Sequence, residues 1–269
     1  MQISSDWSTA IASYLTDQRA GGAPRTTCAT RRQHLEHLAR RVKVDPWILT
    51  PADLVEYAGA QDWKPETRRS RRTTFRSFWA WGLAAGLTET NTAAILPKVR
   101  AGQPKPRPTP ERVYEEALRA SDERLRLILR LAHDAGLRRG EIAQVHSRDL
   151  FEDLDGWSLR VHGKGNRERC VPLSRRLALE LRSLPAGYAF EGDDHGHLSP
   201  RWIGKLATHV LPDEWTIHTL RHSFGTRVYG AADLAVAQDL LGHASPATTR
   251  VYVQVPDSRL RAAVNTIAS

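Results

Sequence analysis

The feature that most constrains this chain is a proline-rich stretch, PKVRAGQPKPRPTP, at residues 97–110. Proline lacks a backbone N–H and its ring fixes φ, so closely spaced prolines exclude both a helix and a central strand. The basic residues between these prolines favour an extended, semi-rigid connection. The stretch therefore predicts two domains, residues 1–100 and 111–269, joined by a linker at 101–110.

The first predicted domain has the hydrophobic periodicity of helices. Residues 67–87, for example, are expected to form a helix that turns Phe75 and Leu83 inward. Thr50 followed by Pro51 predicts the start of another helix, because threonine caps helix N-termini and proline is tolerated at the first helical position. We therefore expect this domain to be helical.

The other face of the helix predicted at 67–87 is strongly basic. It carries Arg68, Arg69, Arg71, Arg72 and Arg76. A charged face is usually just solvated, but like charges at helical spacing repel one another and no acid lies between these arginines. A phosphate backbone would relieve that repulsion. We therefore predict that this face binds DNA.

The second predicted domain combines helices with a small antiparallel sheet. Residues 157–163 and 167–173 alternate between apolar and polar side chains and flank the turn sequence KGN, which predicts a β-hairpin. Helices are predicted at 111–137, 174–184, 199–210, 217–230 and 233–243, and a last amphipathic segment lies at 257–267. The predicted fold class is mainly α with a small antiparallel β-sheet.

The charge of the chain indicates a polyanionic partner. Lysine and arginine number 39 against 30 aspartates and glutamates, a net charge of +9. Such a surplus most often accompanies nucleic-acid binding, with solubility alone as the alternative. The sequence has no apolar run of roughly 20 residues and no secretory signal pattern. Its two cysteines are too few for a disulfide framework. These features favour a cytoplasmic protein with no membrane partner.

The sequence IHTLRHSFG, residues 217–225, crowds His218, Arg221 and His222 onto one helix face. A metal site, a phosphate site and a solvated surface are the three explanations. The zinc-hydrolase pattern requires a glutamate directly after the first histidine, where this chain has Thr219. An arginine one turn away would also repel a divalent cation. We therefore expect no metal and no cofactor, and favour phosphate.

Further cations and a tyrosine follow in a fixed order along the second domain. The sequences GLRRGEI, GKGNRERCVPL, HTLRHSFGT and LLGHASPATTRVYVQV contain, in that order, Arg138, Lys164, His218 with Arg221, and His243 with Tyr252. This ordered set closely resembles the tyrosine recombinases, the phage integrase family, over residues 111–260. The first domain resembles the family's helical core-binding domain more loosely. One departure is Arg139–Gly140, where relatives commonly carry an apolar residue and a serine or threonine.

The resemblance implies that Tyr252 attacks a DNA phosphodiester and forms a 3′-phosphotyrosyl intermediate, which a 5′-hydroxyl then attacks. Such an exchange conserves the bond energy and needs no external energy source. Arg138 and Arg221 would hold the non-bridging oxygens, on which negative charge grows in the transition state. His243 would donate a further hydrogen bond to the same oxygens.

Three further residues complete the implied active site. His218 would accept the tyrosine proton, and Lys164 would protonate the leaving 5′-oxygen. Glu141, three residues after Arg138, is expected to orient its neighbours rather than to act chemically.

The resemblance also implies partners. These are double-stranded DNA at attachment core sites and three further copies of the chain, in a tetramer that works through a Holliday junction. An accessory DNA-bending or directionality factor is compatible with this picture. Residues 257–267 are expected to pack on a neighbouring subunit, with docking on their own domain as the alternative. Few residues precede the first predicted helix, so the chain resembles the simple type without an arm-binding domain.

We favour a phage or mobile-element integrase, with an Xer-like resolvase of chromosome or plasmid dimers as the alternative. Two other classes remain open. A catalytically idle DNA-binding relative would bind DNA as Tyr252→Phe with no change in any activity. A type IB topoisomerase or telomere resolvase shares the chemistry, but such chains are usually larger. The target sequence and the direction of the reaction do not follow from the sequence, because several arginines could contact bases.

Overall fold

The computed structural model of the chain describes residues 3–100, 102, 106–163 and 167–242. Contacts divide the chain into two compact units, Met1–Gln103 and Pro104–Ser269. Within the described residues, no helix is long and apolar enough to cross a membrane. The fold class predicted from the sequence is confirmed, since the described residues are mostly helical with small antiparallel sheets.

Four α-helices make up the described part of the first unit. They are α1 (Ser5–Ala20), α2 (Arg25–Ala39), α3 (Pro51–Gly59) and α4 (Pro65–Ala84), followed by a 3-10 turn at Thr92–Ile95. Helix α3 begins as predicted, with Thr50 in a capping box. The Asp53 N–H donates to Thr50 Oγ1 at 3.2 Å, and the Thr50 N–H donates to the Asp53 carboxylate at 3.0 Å. Two N–H groups that lack intrahelical partners are thereby satisfied.

Aromatic side chains fill the core of this unit. Trp7 stacks on Phe78 with ring centroids 5.9 Å apart, and its indole N–H donates to the Val44 carbonyl at 2.9 Å. The prediction that Leu83 faces inward is wrong, because this side chain is 44% exposed. Gly82 lies on the buried stripe of α4 instead, with the ring of Trp47 packed against its Cα. The stripe recurs every three to four residues and therefore passes through 82 rather than 83.

The second unit surrounds a three-stranded sheet with helices. The helices are α5 (Glu111–Arg119), α6 (Glu123–His133), α7 (Arg139–Ala143), α8 (Arg175–Arg182), α9 (Pro200–Ala207), α10 (Ile217–Ala231) and α11 (Leu234–Leu241). The strands are β1 (Leu150–Asp153), β2 (Gly156–His162) and β3 (Glu168–Pro172), with the short pair β4 (Glu191–Gly192) and β5 (Gly196–His197). The order β1-β2-β3 is antiparallel throughout, so the predicted hairpin is the β2–β3 pair.

Two details of this unit differ from the sequence-based expectation. The single helix predicted at 111–137 is two helices, because Asp122 caps a new start by accepting the Leu125 N–H at 2.7 Å. Strand β1 was not predicted, since it has only four residues and is half exposed. Helix α6 nevertheless lies at the centre of the core and packs against α7, α8, α9 and α10. This packing brings α7 and α10 together around α6.

Residues 106–110, which the sequence places in the linker, lie along α10 in an irregular extended conformation. The Thr109 hydroxyl donates to the Thr219 hydroxyl at 2.8 Å, and the Ser223 hydroxyl donates to the Thr109 carbonyl at 3.0 Å. The backbone N–H of Arg107 donates to Nδ1 of His222 at 3.2 Å. This segment is therefore hydrogen-bonded to the helix that carries His218 and Arg221.

Candidate active site

Arg138 is fixed by both its backbone and its side chain at the start of α7. It is the N-cap residue, and Glu141 at the third helical position accepts its backbone N–H at 2.8 Å. The other oxygen of the same carboxylate accepts Nη1 of Arg138 at 2.7 Å. An acid in the first turn also complements the positive end of the helix dipole. The short sequence Arg-x-x-Glu therefore builds its own support for the arginine.

Glu141 is the centre of a buried cluster of charges. Arg169 of β3 donates Nη1 and Nη2 to its two carboxylate oxygens, both at 2.9 Å. Burial alone would raise the pKa of Glu141. The hydrogen bonds and charge of Arg169, the charge of Arg221 and the N–H of Arg138 together lower that pKa to about 2. The carboxylate therefore stays ionised at every physiological pH.

Arg221 of α10 is fully buried, and protein oxygens surround its guanidinium. Nη1 donates to the Gly136 carbonyl and lies 3.5 Å from the Glu141 carboxylate. Nη2 donates to the Leu241 carbonyl at 2.5 Å, at the C-terminal end of α11. Carbonyls at a helix C-terminus carry partial negative charge, which stabilises a nearby cation. The buried charge of this arginine is thus balanced by one carboxylate and two carbonyls.

His218 and His222 lie one turn apart on α10, with ring centroids 4.8 Å apart. Desolvation, followed by the charges of Arg221, Arg138 and Arg139, lowers the pKa of His218 below its ordinary value. Desolvation and the charges of His218 and Arg221 lower the pKa of His222 to about 4. Both rings are therefore neutral at pH 7, and a neutral His218 can accept a proton.

Comparison with known proteins identifies the family. The model of the phage integrase family matches residues 199–259. The tyrosine recombinase XerC of Methylobacterium sp. (strain 4-46) is 31% identical, over 94% of this chain and 91% of the relative. The chain belongs to the tyrosine recombinase family. It is accordingly a site-specific recombinase, of the family that cleaves and rejoins DNA through a tyrosine intermediate.

Solved structures show the same fold for this recombinase. A lambda integrase dimer bound to a COC′ core site superposes with a TM-score of 0.74, over 90% of this chain and 76% of that chain, at 18% identity. A lambda integrase tetramer bound to a Holliday junction gives a TM-score of 0.73, over 88% and 77% of the two chains, also at 18% identity.

The structure describes three of the six predicted catalytic residues of the recombinase. Arg138 of α7 and Arg221 of α10 both contact Glu141, and His218 lies one turn before Arg221 on α10, where the charges of both arginines lower its pKa. Lys164, His243 and Tyr252 lie outside the described residues. Their roles therefore stay predictions from the sequence.

The predicted DNA-binding arginines of α4 already have partners within the first unit. Arg68 donates to the carbonyls of Ala58 and Gln61. The other four also have partners: Arg72 donates to the Leu96 carbonyl, Arg76 donates to the Ala94 carbonyl, Arg69 forms an ion pair with Glu66, and Arg71 lies over the ring of Trp63. Their mutual repulsion is therefore partly relieved by the protein itself. Contact of this face with DNA stays a prediction.

The sequence reasoning missed Arg169. In the segment RERCVPL it was assigned only to a strand, since nothing in the sequence marks Glu141 as its partner 28 positions away. A usable signal was the alternation of the strand, which puts Arg169 on the same face as the buried Val171, where an arginine must find acceptors for its donors. The recombinase thus holds a fourth basic side chain in this cluster, besides Arg138, Arg221 and His218.

Proposed function

We propose that this recombinase joins DNA at core-type sites through a 3′-phosphotyrosyl intermediate, with Tyr252 as the nucleophile. The observation that carries the proposal is that Arg138 and Arg221 both contact one ionised carboxylate, with His218 close enough to the two arginines for their charges to lower its pKa. Two guanidiniums can stabilise the pentacoordinate phosphorus of the transition state, and a neutral imidazole can accept the tyrosine proton.

The proposed chemistry has two steps, cleavage and rejoining. Tyr252 Oη attacks the phosphorus, its proton passes to His218, and the bond from phosphorus to the 5′-oxygen breaks. Lys164 protonates that oxygen, while Arg138 and Arg221 hold the non-bridging oxygens with His243. In the second step a 5′-hydroxyl from the partner duplex attacks the phosphotyrosine, and the proton transfers run in reverse. Glu141 orients Arg138 and takes no part in proton transfer.

We also propose that the chain acts on double-stranded DNA as a tetramer that passes through a Holliday junction. The support is the likeness in fold to lambda integrase, whose dimer is solved on a core site and whose tetramer is solved on a Holliday junction. The net charge of +9 fits contacts with phosphates. Among the α4 arginines, Arg69 is exposed, at 45% of its side chain, whereas the other four are half-buried.

The first experiment incubates the protein in EDTA with labelled DNA that flanks its own gene, followed by denaturation. A 3′-linked protein–DNA adduct should form and should be absent with Tyr252→Phe. The matched control is Tyr229→Phe, which removes a hydroxyl from α10 and should still form the adduct. An adduct that persists in Tyr252→Phe would refute the assignment of the nucleophile. Tight binding with no adduct on intact or nicked DNA would favour the catalytically idle class.

An Xer-like resolvase is the second candidate, because proteins similar to this chain carry the name XerC. A supercoiled plasmid with two directly repeated copies of the adduct site separates it from an integrase. Resolution into two circles by this chain alone, without a distinct second site, favours the resolvase. A requirement for two different sites favours the integrase, and stimulation by host extract would indicate an accessory factor.

A further inference from the structure

Arg169 links three parts of the candidate active site through a single guanidinium. Its Nη1 and Nη2 donate to the two oxygens of Glu141, both at 2.9 Å. Its Nε donates to the Leu240 carbonyl at the end of α11, also at 2.9 Å. The side chain starts on β3 and is only 12% exposed. One residue thereby joins the β2–β3 hairpin to α7 and α11.

The hairpin brings the residue before Lys164 directly to this cluster. A Cβ added to Gly163 would lie 3.8 Å from Oε1 of Glu141 and 3.0 Å from the Arg167 carbonyl oxygen. The Gly163 N–H donates to that carbonyl at 2.7 Å, which closes the hairpin just below its tip. The described ends of the hairpin are therefore in place next to the carboxylate that holds Arg138.

We propose that Arg169 is a positioning residue for the general acid Lys164. It holds β3 to Glu141, and so sets the distance between the hairpin that carries the lysine and the arginines that hold the phosphate. The inference rests on the role proposed above for Lys164. Arg169 itself contacts neither DNA nor the reacting atoms in this assignment.

The geometry requires an arginine at position 169. A guanidinium presents two parallel N–H donors to a carboxylate and a third on Nε, whereas a lysine ammonium acts as a compact point charge. Arg169→Lys keeps the charge that balances Glu141, but it cannot make the forked contact and reach the Leu240 carbonyl together. This substitution therefore separates geometry from charge.

The hairpin has a second anchor that does not involve the arginine cluster. His162 Nε2 lies 3.0 Å from the Asp149 carboxylate, and its Nδ1 lies 3.1 Å from Glu168. This anchor should keep the hairpin folded when Arg169 is replaced. Loss of Arg169 is then expected to release β3 from Glu141 without preventing the sheet from forming.

Gly242, which follows α11, leaves the space that the side chain of Arg169 occupies. Its φ of +60° lies in the left-handed region, and a Cβ there would come 2.9 Å from Cδ of Arg169. The guanidinium thus packs directly on the backbone where α11 ends. The contact leaves little room for Arg169 to take another position.

The test measures the rate of covalent adduct formation on two DNA substrates. One has the natural 5′-oxygen at the cleaved bond, and the other has a bridging 5′-sulfur, whose thiolate leaves without being protonated. On natural DNA, Arg169→Lys should slow adduct formation by about 10- to 100-fold, the cost of a misplaced catalytic group. On the sulfur substrate most of that loss should disappear. DNA affinity should stay close to that of the unchanged protein, and the unfolding temperature should stay well above the temperature of the assay.

Two further variants make the outcome unambiguous. Arg160→Lys, the same change at an exposed position on β2, should cleave both substrates at the normal rate. Lys164→Ala should be slow on natural DNA and rescued by sulfur. If Lys164→Ala is rescued but Arg169→Lys is equally slow on both substrates, the positioning role of Arg169 is wrong. If neither is rescued, the acid role of Lys164 fails, and the inference falls with it.

Discussion

Replacing Glu141 by glutamine tests whether the buried carboxylate stabilises the second unit. The pKa of Glu141 falls from an ordinary 4.5 to about 2. Each tenfold change in an acid constant corresponds to about 1.36 kcal/mol, so linkage gives about 3 kcal/mol of stability at neutral pH. The side chain is only 4% exposed, so solvent does little to screen this interaction. Glu141→Gln should therefore lower the free energy of unfolding by about that amount.

The effect should depend on pH in one direction. A carboxyl whose pKa is lowered by folding contributes its full stability above its unfolded pKa, and loses it as the pH falls towards the folded value. The difference between the unchanged protein and Glu141→Gln should thus be constant from pH 7 to about pH 5. By pH 3 it should have fallen to less than half, as the unchanged protein loses the contribution of this charge.

The assay is urea unfolding, monitored through amide hydrogen exchange in peptides from α6 and β2. These peptides report on the second unit alone, which is needed because the two units need not unfold together. Glu115→Gln is the matched control in the same unit, since Glu115 pairs with Arg119 at 3.0 Å but is 53% exposed. Such a surface pair should contribute less than about 0.5 kcal/mol. A Glu141→Gln protein as stable as the Glu115→Gln protein, or a difference that does not shrink at low pH, would refute the reasoning.

Three further predictions concern separate features. Gly136 has a φ of +64° and a Cβ there would overlap the ring of Phe224, so Gly136→Ala should destabilise the second unit by more than about 2 kcal/mol. Gly86 has a φ of +69° with open space around it, so Gly86→Ala should lower the stability of the first unit by only about 1 kcal/mol. If urea unfolding shows equal losses of stability for Gly136→Ala and Gly86→Ala, the overlap with Phe224 does not add to the cost. Thr50→Ala should lower the stability of the first unit by about 1 kcal/mol through loss of the α3 cap, and an unchanged urea midpoint would show that the capping box is not stabilising. The pKa of His218 is lowered from the ordinary 6.5, so its ring should become protonated only below that pH. The rate of single-turnover cleavage should therefore fall with a midpoint below pH 6.5, and a midpoint above pH 6.5 would contradict the assignment of His218 as the base.

The local signals in the sequence predicted the fold well. Thr50 and Pro51 marked the start of α3, because capping depends on residues three positions apart. The start of α6 at Asp122 carried a similar signal, yet the apolar periodicity continued across it and predicted one helix. Strand β1 was missed because four half-exposed residues do not reveal an alternating pattern.

Contacts between segments that are distant in the sequence could not be predicted from it. Arg138 and Glu141 are three residues apart, so their pairing could be expected. The approach of Arg169 and Arg221 to the same carboxylate depends on how β3 and α10 pack. The α4 arginines show the same limit, because Arg72 and Arg76 find acceptors in a turn 18 to 24 residues away. Periodicity describes which face a residue occupies, but not which carbonyl lies opposite that face.

The carbonyl contacts of Arg221 have a consequence for how the proposed active site divides its binding energy. A phosphate that engages this guanidinium must compete with the Gly136 and Leu241 carbonyls, which already accept its N–H groups. Exchange of neutral acceptors for a singly charged diester yields little net affinity. The transition state carries extra negative charge on the same oxygens, so the exchange becomes favourable mainly there. An arginine held in this way would contribute to the rate of cleavage far more than to the tightness of DNA binding.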